Sequence, residues 1–284
     1  MALGVHQVGR GDPTTRSEPG GWWHATLTPS GPGTVHIWWS AAGIDAQAWG
    51  PGSDHLLGLV PALTGALDPG GVVSGVHPAV ATALRNHPDL RLGHSRNLFH
   101  TMLPVIIGQR VTTGEARESW RKLCAFLGER APGPQPLRLP PEPSALARRP
   151  YWWFHRLGME RKRADAIREV ASHAELLRTL DRTADLADAR RRLALIPGIG
   201  VWTIGCSLGP ALGDPDAFAI GDYWLKHIVC DALAGEPRGT DERMVELLEP
   251  YVGQRGRVVK LLNADGWKPR RYAPSIKVLP IASL

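Results

Sequence analysis

The sharpest chemical signal in the chain is the run Leu195-Ile196-Pro197-Gly198-Ile199-Gly200-Val201-Trp202-Thr203, which sits between two helical stretches. Pro197 and Gly198 suit a tight turn, and Gly200 lets another backbone come close. A helix that starts at Val201 turns its first N–H groups outward, where no intrahelical acceptor exists for them. That arrangement binds anions, and the phosphate of a nucleic acid is well matched to it. Taken alone, Gly-X-Gly equally describes an ordinary corner between helices. Three basic clusters, Arg161-Lys162-Arg163, Arg190-Arg191-Arg192 and Arg270-Arg271, have the charge to meet phosphates. The default for such runs is a solvated helix face. The aromatic run Tyr151-Trp152-Trp153-Phe154 reads first as core packing under the Pro-rich stretch beside it, and second as a base-pocket lining.

Composition narrows the setting. The chain has 284 residues, 43% of them apolar and 21% charged, a globular balance with room for two packed domains. Lys and Arg number 33 against 27 Asp and Glu, a net charge of +6. The sequence pI is near 9.5, which suits a polyanionic partner. The basic residues are almost all arginine, which with the many Ala, Gly and Pro residues suggests a GC-rich bacterial genome. Cys124, Cys206 and Cys230 are odd in number and far apart, which excludes a disulfide framework, a four-cysteine zinc site and an iron–sulfur cluster. The expected compartment is the reducing cytoplasm. The first thirty residues lack the apolar stretch of a signal peptide. The nearly uncharged stretches Leu56–Leu84 and Ala194–Gly213 are broken by Gly and Pro and read as buried core rather than membrane spans.

The elements that must position the turn follow from periodicity. Residues 1–20 read as a flexible tail. Gly21–Thr28, Thr34–Ser40 and Ile44–Trp49 read as strands, with Ser30-Gly31-Pro32-Gly33 as a hairpin signal between the first two. Ser53 starts a helix carrying Leu56, Leu57, Val60 and Leu63, and His77–Asn86 is a second short one. Residues 21–94 thus form an N-terminal α/β domain. From Ser95 the pattern turns helical. Leu98, Phe99, Met102, Leu103, Ile106 and Ile107 make one apolar face, and Ala116, Trp120, Leu123, Cys124 and Leu127 another. Residues 131–143, with six prolines, read as a loop or linker. Helices resume near Arg161–Ala171, Ala184–Leu195, Val201–Leu212, Asp222–Ala234, Asp241–Leu248 and Arg255–Asn263. The helical domain spans 95–265, followed by a basic C-terminal tail, 266–284. The fold class is α+β, a small mixed domain with an antiparallel sheet followed by an all-α domain.

Four ordered blocks then carry a resemblance. They are Ile106-Ile107-Gly108-Gln109-Arg110-Val111; Leu157-Gly158-Met159 with Lys162-Arg163-Ala164; the turn at Pro197–Gly200; and Asp214-Pro215-Asp216-Ala217-Phe218-Ala219-Ile220-Gly221-Asp222-Tyr223. Together, over roughly Ser95 to Asn263, they resemble the helix-hairpin-helix DNA glycosylase superfamily. In that family the loop after the hairpin ends in an aspartate that caps the next helix and does the chemistry. Asp222, 22 residues after Gly200, stands at the matching place. An N-terminal sheet domain before the helices is similar to the 3-methyladenine DNA glycosylase II type. Bifunctional relatives carry a Schiff-base lysine at the hairpin position that is Trp202 here, so the resemblance implies a monofunctional hydrolase without lyase activity.

The resemblance implies these roles. Asp222 is catalytic. Trp202, Cys206 and Trp153 line the base pocket. Gly198, Gly200, Val201 and Thr203 hold DNA, together with Gln109 and Arg110, one of which fills the gap left by the extruded base. The carbonyls of Ala194, Ile196 and Ile199 can take a monovalent cation, Na or K; no other cofactor is required. Lys226, four residues beyond Asp222, can pair with it or remain solvated. The expected partner is double-stranded DNA containing a damaged base, bound by a cytoplasmic, nucleoid-associated monomer without membrane contact and acting in base excision repair. Two alternatives stand beside an alkylated-base enzyme: a glycosylase for an oxidised or deaminated base, and a non-catalytic helix-hairpin-helix DNA-binding protein. Asp222 argues against the second, because a pure DNA binder has no use for a carboxylate facing a polyanion.

Overall fold

The computed structural model of the chain describes residues 2–71 and 77–268. Arg270-Arg271 and most of the basic tail lie outside them. Four strands, β1 (Thr15–Glu18), β2 (Gly21–Thr28), β3 (Gly31–Ser40) and β4 (Gly43–Trp49), form an antiparallel sheet in sequence order. Trp22 pairs with Ile37 and Trp23 with His36, so successive residues of β2 feed opposite faces. One face carries Trp22, Val35 and Ile37 and packs on Leu3 and on helix α1 (Ser53–Leu63), through Leu56 and Leu63. The other face, with Trp23 and Ala25, packs on Ala131, Leu137 and Leu139.

Of the two readings of 131–143, loop or linker, that second contact favours a loop packed on the sheet. The prolines hold the segment extended, and its leucines cover the sheet. Ala131 donates to the Leu137 carbonyl (3.0 Å) and Leu139 to that of Glu129 (2.9 Å), while Arg138 N–H reaches Pro13 (2.8 Å). Gly133 lies where a Cβ would come within 3.1 Å of the Trp49 ring.

Residues 2–20 are not a free tail. Ala2–His6 is a 3-10 turn, and β1 extends the sheet. The anchor is Asp12, buried, whose carboxylate accepts from Val8 N–H (2.7 Å), Thr14 N–H and hydroxyl (both 2.9 Å), the Thr15 hydroxyl (2.9 Å) and the indole of Trp120 (3.0 Å). Composition gave no sign of this, because a polar Gly- and Pro-containing segment reads as loop unless its one buried acceptor is known.

The remaining helices divide between two cores. Helices α3 (Leu98–Ile107), α4 (Thr113–Leu127), α6 (Arg161–Ser172), α7 (Ala174–Leu180), α8 (Leu186–Leu193) and α9 (Val201–Leu212) share the larger one. The short α5 (Pro143–Ala147) and the 3-10 turn Tyr151–Leu157 close one end of it. Helices α10 (Leu225–Ala234), α11 (Asp241–Leu248) and α12 (Arg255–Ala264) build the second around Val229, Met244, Leu248 and Val258. Helix α2 (Pro78–Asn86), read as part of the sheet domain, joins this second core through Val80. A buried pair, Asp68–Arg257, ties the loop after α1 to α12 with contacts of 2.6 and 2.9 Å.

The sheet meets the helices across a histidine stack. His24 lies flat between Trp22 and His100, with ring centroids 5.2 Å from each. The Thr26 hydroxyl bonds His100 Nδ1 at 2.8 Å, and Asn97 donates to Thr26 at 3.1 Å. Burial holds His24 and His100 neutral, down to about 3 in each case.

Candidate active site and nucleic-acid interface

The hairpin forms because two isoleucines point inward. Helix α8 is capped by Asp185, which accepts from Asp188 N–H at 2.9 Å. After it, Ile196 and Ile199 are buried, and Ile199 N–H closes the turn on the Ile196 carbonyl at 3.1 Å. Leu195 (78% exposed) and Val201 (67% exposed) stand on the outer side with Pro197, Gly198 and Gly200. The uncharged stretch 194–213 is thus core only in part. Its hairpin presents an apolar rim with free donors, a surface suited to a backbone lying across it.

The two hairpin glycines serve different ends. Gly198 has φ +82°, and a Cβ there would come within 2.8 Å of the Ala166 side chain on α6. It is required by fold. Gly200 is the N-cap of α9, with φ −96° and open space where its Cβ would be. No side chain caps the helix, so its first-turn N–H groups lack an intrahelical acceptor, with Val201 and Trp202 reaching the surface and Thr203 buried.

Gln109, just past the end of α3, grips this hairpin. Its amide donates to the Gly198 carbonyl (3.2 Å) and to the Thr203 hydroxyl (2.9 Å). Thr203 is therefore buried beneath the hairpin surface, backbone and side chain alike. Arg110 is exposed at the tip of the turn in the left-handed region, φ +57°. That conformation costs a non-glycine residue about 1–2 kcal/mol. Of the two residues considered for the wedge, Gln109 is engaged and Arg110 projects.

The loop from α9 to α10 is clamped on both sides. Gly205 of α9 faces the Phe218 carbonyl so closely that a Cβ would lie 2.0 Å from it, and Gly256 of α12 meets Ala217 O in the same way at 2.2 Å. Asp214 accepts from Arg190 (2.6 Å), and Asp216 holds Gly253 N–H (2.9 Å) and Arg255. Of the run Arg190-Arg191-Arg192, the first residue thus serves the loop, and the others pair with Asp188.

At the end of this loop Asp222 divides its two oxygens. Oδ1 accepts from the N–H groups of Trp224 (2.8 Å) and Leu225 (2.9 Å), capping α10, which begins at Leu225 rather than at Asp222. Oδ2 turns to the Trp202 indole N–H at 3.5 Å. Cys206 stands one turn beyond Trp202 on α9; burial, with the Asp222 charge beside it, pushes its thiol up to about 12. Trp202, Cys206 and Asp222 are therefore brought together.

Two residues fall elsewhere. Lys226 pairs with Asp241 (3.0 Å), whose other oxygen holds Gly221 N–H (2.9 Å), and does not pair with Asp222. Trp153 is a core residue, packed on Phe126 and Phe154 and flanked by Arg149 and Arg156; none of these belongs to the hairpin. Sequence reasoning passed over Tyr223, an exposed ring stacked edge-on against Trp224 (4.6 Å) directly beside Asp222. Its only sequence signal was an aromatic following the acid. Among the described residues no group of three or more His, Cys, Asp or Glu side chains is placed to hold a metal ion, and no helix is long and apolar enough to cross a membrane.

Comparison with known proteins bears on this arrangement. No family model matches the chain. DNA-3-methyladenine glycosylase 2 of Escherichia coli (strain K12) is 28% identical over 184 residues, 64% of this chain and 63% of that protein. The chain thus spans just under two thirds of that relative's length. The solved 3-methyladenine DNA-glycosylase from Archaeoglobus fulgidus superimposes with a TM-score of 0.70 at 20% identity, covering 89% of this chain and 90% of the other. The 8-oxoguanine glycosylase/lyase of Clostridium acetobutylicum, solved with double-stranded DNA, gives 0.65 at 13% identity over 87% and 84%. The overall fold is shared with both of these structures. The chain is thus similar in sequence to a 3-methyladenine DNA glycosylase II and shares the fold of solved helix-hairpin-helix DNA glycosylases.

Proposed function

We propose that the chain is a monofunctional DNA glycosylase that extrudes an alkylated base of the 3-methyladenine kind from double-stranded DNA and hydrolyses its N-glycosidic bond, acting as a monomer in base excision repair. The observation that carries the reading is Asp222, one oxygen held by the α10 N–H groups and the other directed to Trp202. The N–H groups at Gly200–Trp202 take phosphate, which positions the duplex without reading its sequence. An alkylated purine inside a helix is out of reach, so its nucleotide must leave the stack, with Arg110 in the gap. N3- or N7-alkylation makes the base cationic, and the Trp202 indole face favours that cation by roughly 0.5–2 kcal/mol. The base is already a good leaving group. Asp222 then stabilises the oxocarbenium-like sugar and orients the attacking water. The nearest lysine in sequence, Lys226, is held by Asp241, which supports hydrolysis over Schiff-base chemistry.

The carbonyls of Ala194, Ile196 and Ile199 suit a hard monovalent cation, Na or K, at the turn. The Ile196 oxygen accepts one hydrogen bond and retains a second lone pair. Such an ion supplies positive charge under the phosphate. Melting in potassium chloride above that in choline chloride supports its presence, and equal melting removes it.

A panel of duplexes, each with one damaged base, tests the function by release of the free base. Release of 3-methyladenine or 7-methylguanine is expected. Release of only an oxidised or deaminated base overturns the substrate assignment, and release of none from any duplex overturns the enzyme.

A further inference from the structure

Residues 148–163 hold six basic side chains and one acid, and four aromatic rings stand among them. The hydrolytic site uses none of these. The 3-10 turn Tyr151–Leu157 displays them as an ordered array. The guanidinium of Arg161 lies 4.8 Å over the Tyr151 ring, and those of Arg149 and Arg156 lie 4.9 and 5.3 Å from Trp153. Trp152 is left 58% exposed, and Phe126, in edge contact with Trp153, is equally exposed. Arg148, Arg156, Arg161 and Lys162 are exposed around them. The neighbouring acids are engaged, Glu160 with the buried Arg163 and Asp165 with Arg161 and Arg168.

The position of the array is as informative as its composition. Arg163 donates to the Ile107 carbonyl at the end of α3 and to Gly158 at the end of the 3-10 turn, both at 2.9 Å. The array therefore borders the turn that carries Arg110, and α6, which follows it, supports Gly198. An exposed indole in a field of guanidinium groups cannot stack on paired bases, whose faces are covered by their neighbours. It can stack on an unpaired one.

We propose that this face binds a single DNA strand running off the duplex held at the hairpin, with phosphates on Arg148, Arg156, Arg161 and Lys162 and an unpaired base on Trp152. The proposal rests on the reading of the chain as a DNA-acting enzyme and adds the unpaired strand as its second ligand. It directs the enzyme toward lesions near a single-strand junction.

The test measures binding of the full chain by fluorescence anisotropy to undamaged DNA: a blunt duplex, the same duplex with an overhang of about ten nucleotides, and the overhang strand alone. The overhang is expected to tighten binding. Trp152→Ala should weaken single-strand binding and abolish the overhang gain, by about five- to a hundredfold, with blunt-duplex affinity unchanged. Trp152→Phe should restore most of it. Arg148→Glu with Lys162→Glu should lower the salt slope on the single strand by roughly 1–2. Equal affinity for blunt and overhung duplexes, or single-strand binding indifferent to Trp152→Ala, overturns the proposal. If the damaged-base panel releases nothing while the Trp152-dependent overhang gain is seen, only the hydrolytic reading fails.

Discussion

Asp222 holds two positions at once, and a single atom separates them. Asparagine in its place keeps an oxygen for the Trp224 and Leu225 N–H groups, so α10 stays capped. What is lost is the negative charge that the proposed mechanism sets against the sugar cation. Asp222→Asn is therefore expected to cut base excision by at least roughly a hundredfold while melting temperature and affinity for damaged duplex hold, or affinity rises as a carboxylate is removed from a polyanion. Near-normal excision would reduce Asp222 to a helix cap. The wild-type product should be an intact abasic strand, nicked only by alkali; a borohydride-trapped adduct would show an amine attacking the sugar. At this scale the sequence was informative where spacing carries chemistry. Asp222, Trp202 and Cys206 do meet. It was uninformative where a residue's surroundings come from distant chain. Trp153 has the composition of a pocket wall but is enclosed by Phe126 and two arginines, and Lys226 finds Asp241, fifteen residues away, before Asp222.

Among elements, the hairpin offers a matched pair of substitutions. Gly198→Ala puts a methyl group into Ala166 at a positive φ and should destabilise the fold by about 1–3 kcal/mol, with loss of DNA binding following loss of the turn. Gly200→Ser meets open space and adds a good N-cap, so thermal stability should hold or rise. Its hydroxymethyl group stands at the proposed phosphate contact, so affinity for damaged and undamaged duplex should fall together. Calorimetry beside anisotropy separates the two outcomes, and unchanged affinity in Gly200→Ser would remove the phosphate role. Helices α3 and α4 could be read from periodicity, because each buries one regular face, whereas β2, buried on both faces, and β4, largely exposed, were legible from the turn residues that bound them. Helix α7, only Ala174–Leu180, is too short for its period to stand out. The start of α10 was read three residues early because Asp222 caps from outside the helix. The segment 2–18 and the proline-rich cover lack any periodicity; they are ordered by buried acceptors and by the face they cover.

For the molecule as a whole, the junction between sheet and helices makes stability depend on acid. His24 and His100 are held neutral, down to about 3, chiefly by burial, and His94 down to about 4 by burial with Arg96 beside it. His6, also lowered mainly by burial, adjoins His24 and Lys260. The unfolded chain protonates all four below about pH 6.5, whereas the folded chain does not, so stability is complete above that pH and drains as pH falls. Asp181 opposes this: burial raises it to about 7, so between about pH 4 and 7 the folded chain carries one extra proton. Four histidines outweigh one carboxyl, so stability is expected to fall as pH drops below about 6.5, ending in acid unfolding. His24→Phe keeps the stack between Trp22 and His100 while removing one titrating group, and should move the midpoint measured by circular dichroism to lower pH. An unmoved midpoint would place the acid sensitivity elsewhere.

The proline-rich cover of the sheet has a consequence for inheritance. Half of the sheet's apolar lining, Ala131, Leu137 and Leu139, is encoded far downstream, beyond helices α3 and α4. The front third of the chain is therefore not a transplantable cassette. A recombination crossover or gene fusion placed between residues 94 and 130 would join a sheet to a cover selected for a different one, leaving Trp23 and Ala25 against ill-fitting side chains. Exchange of sheet domains between relatives must carry two separated stretches of gene together, so the sheet and the helices have to evolve as one unit.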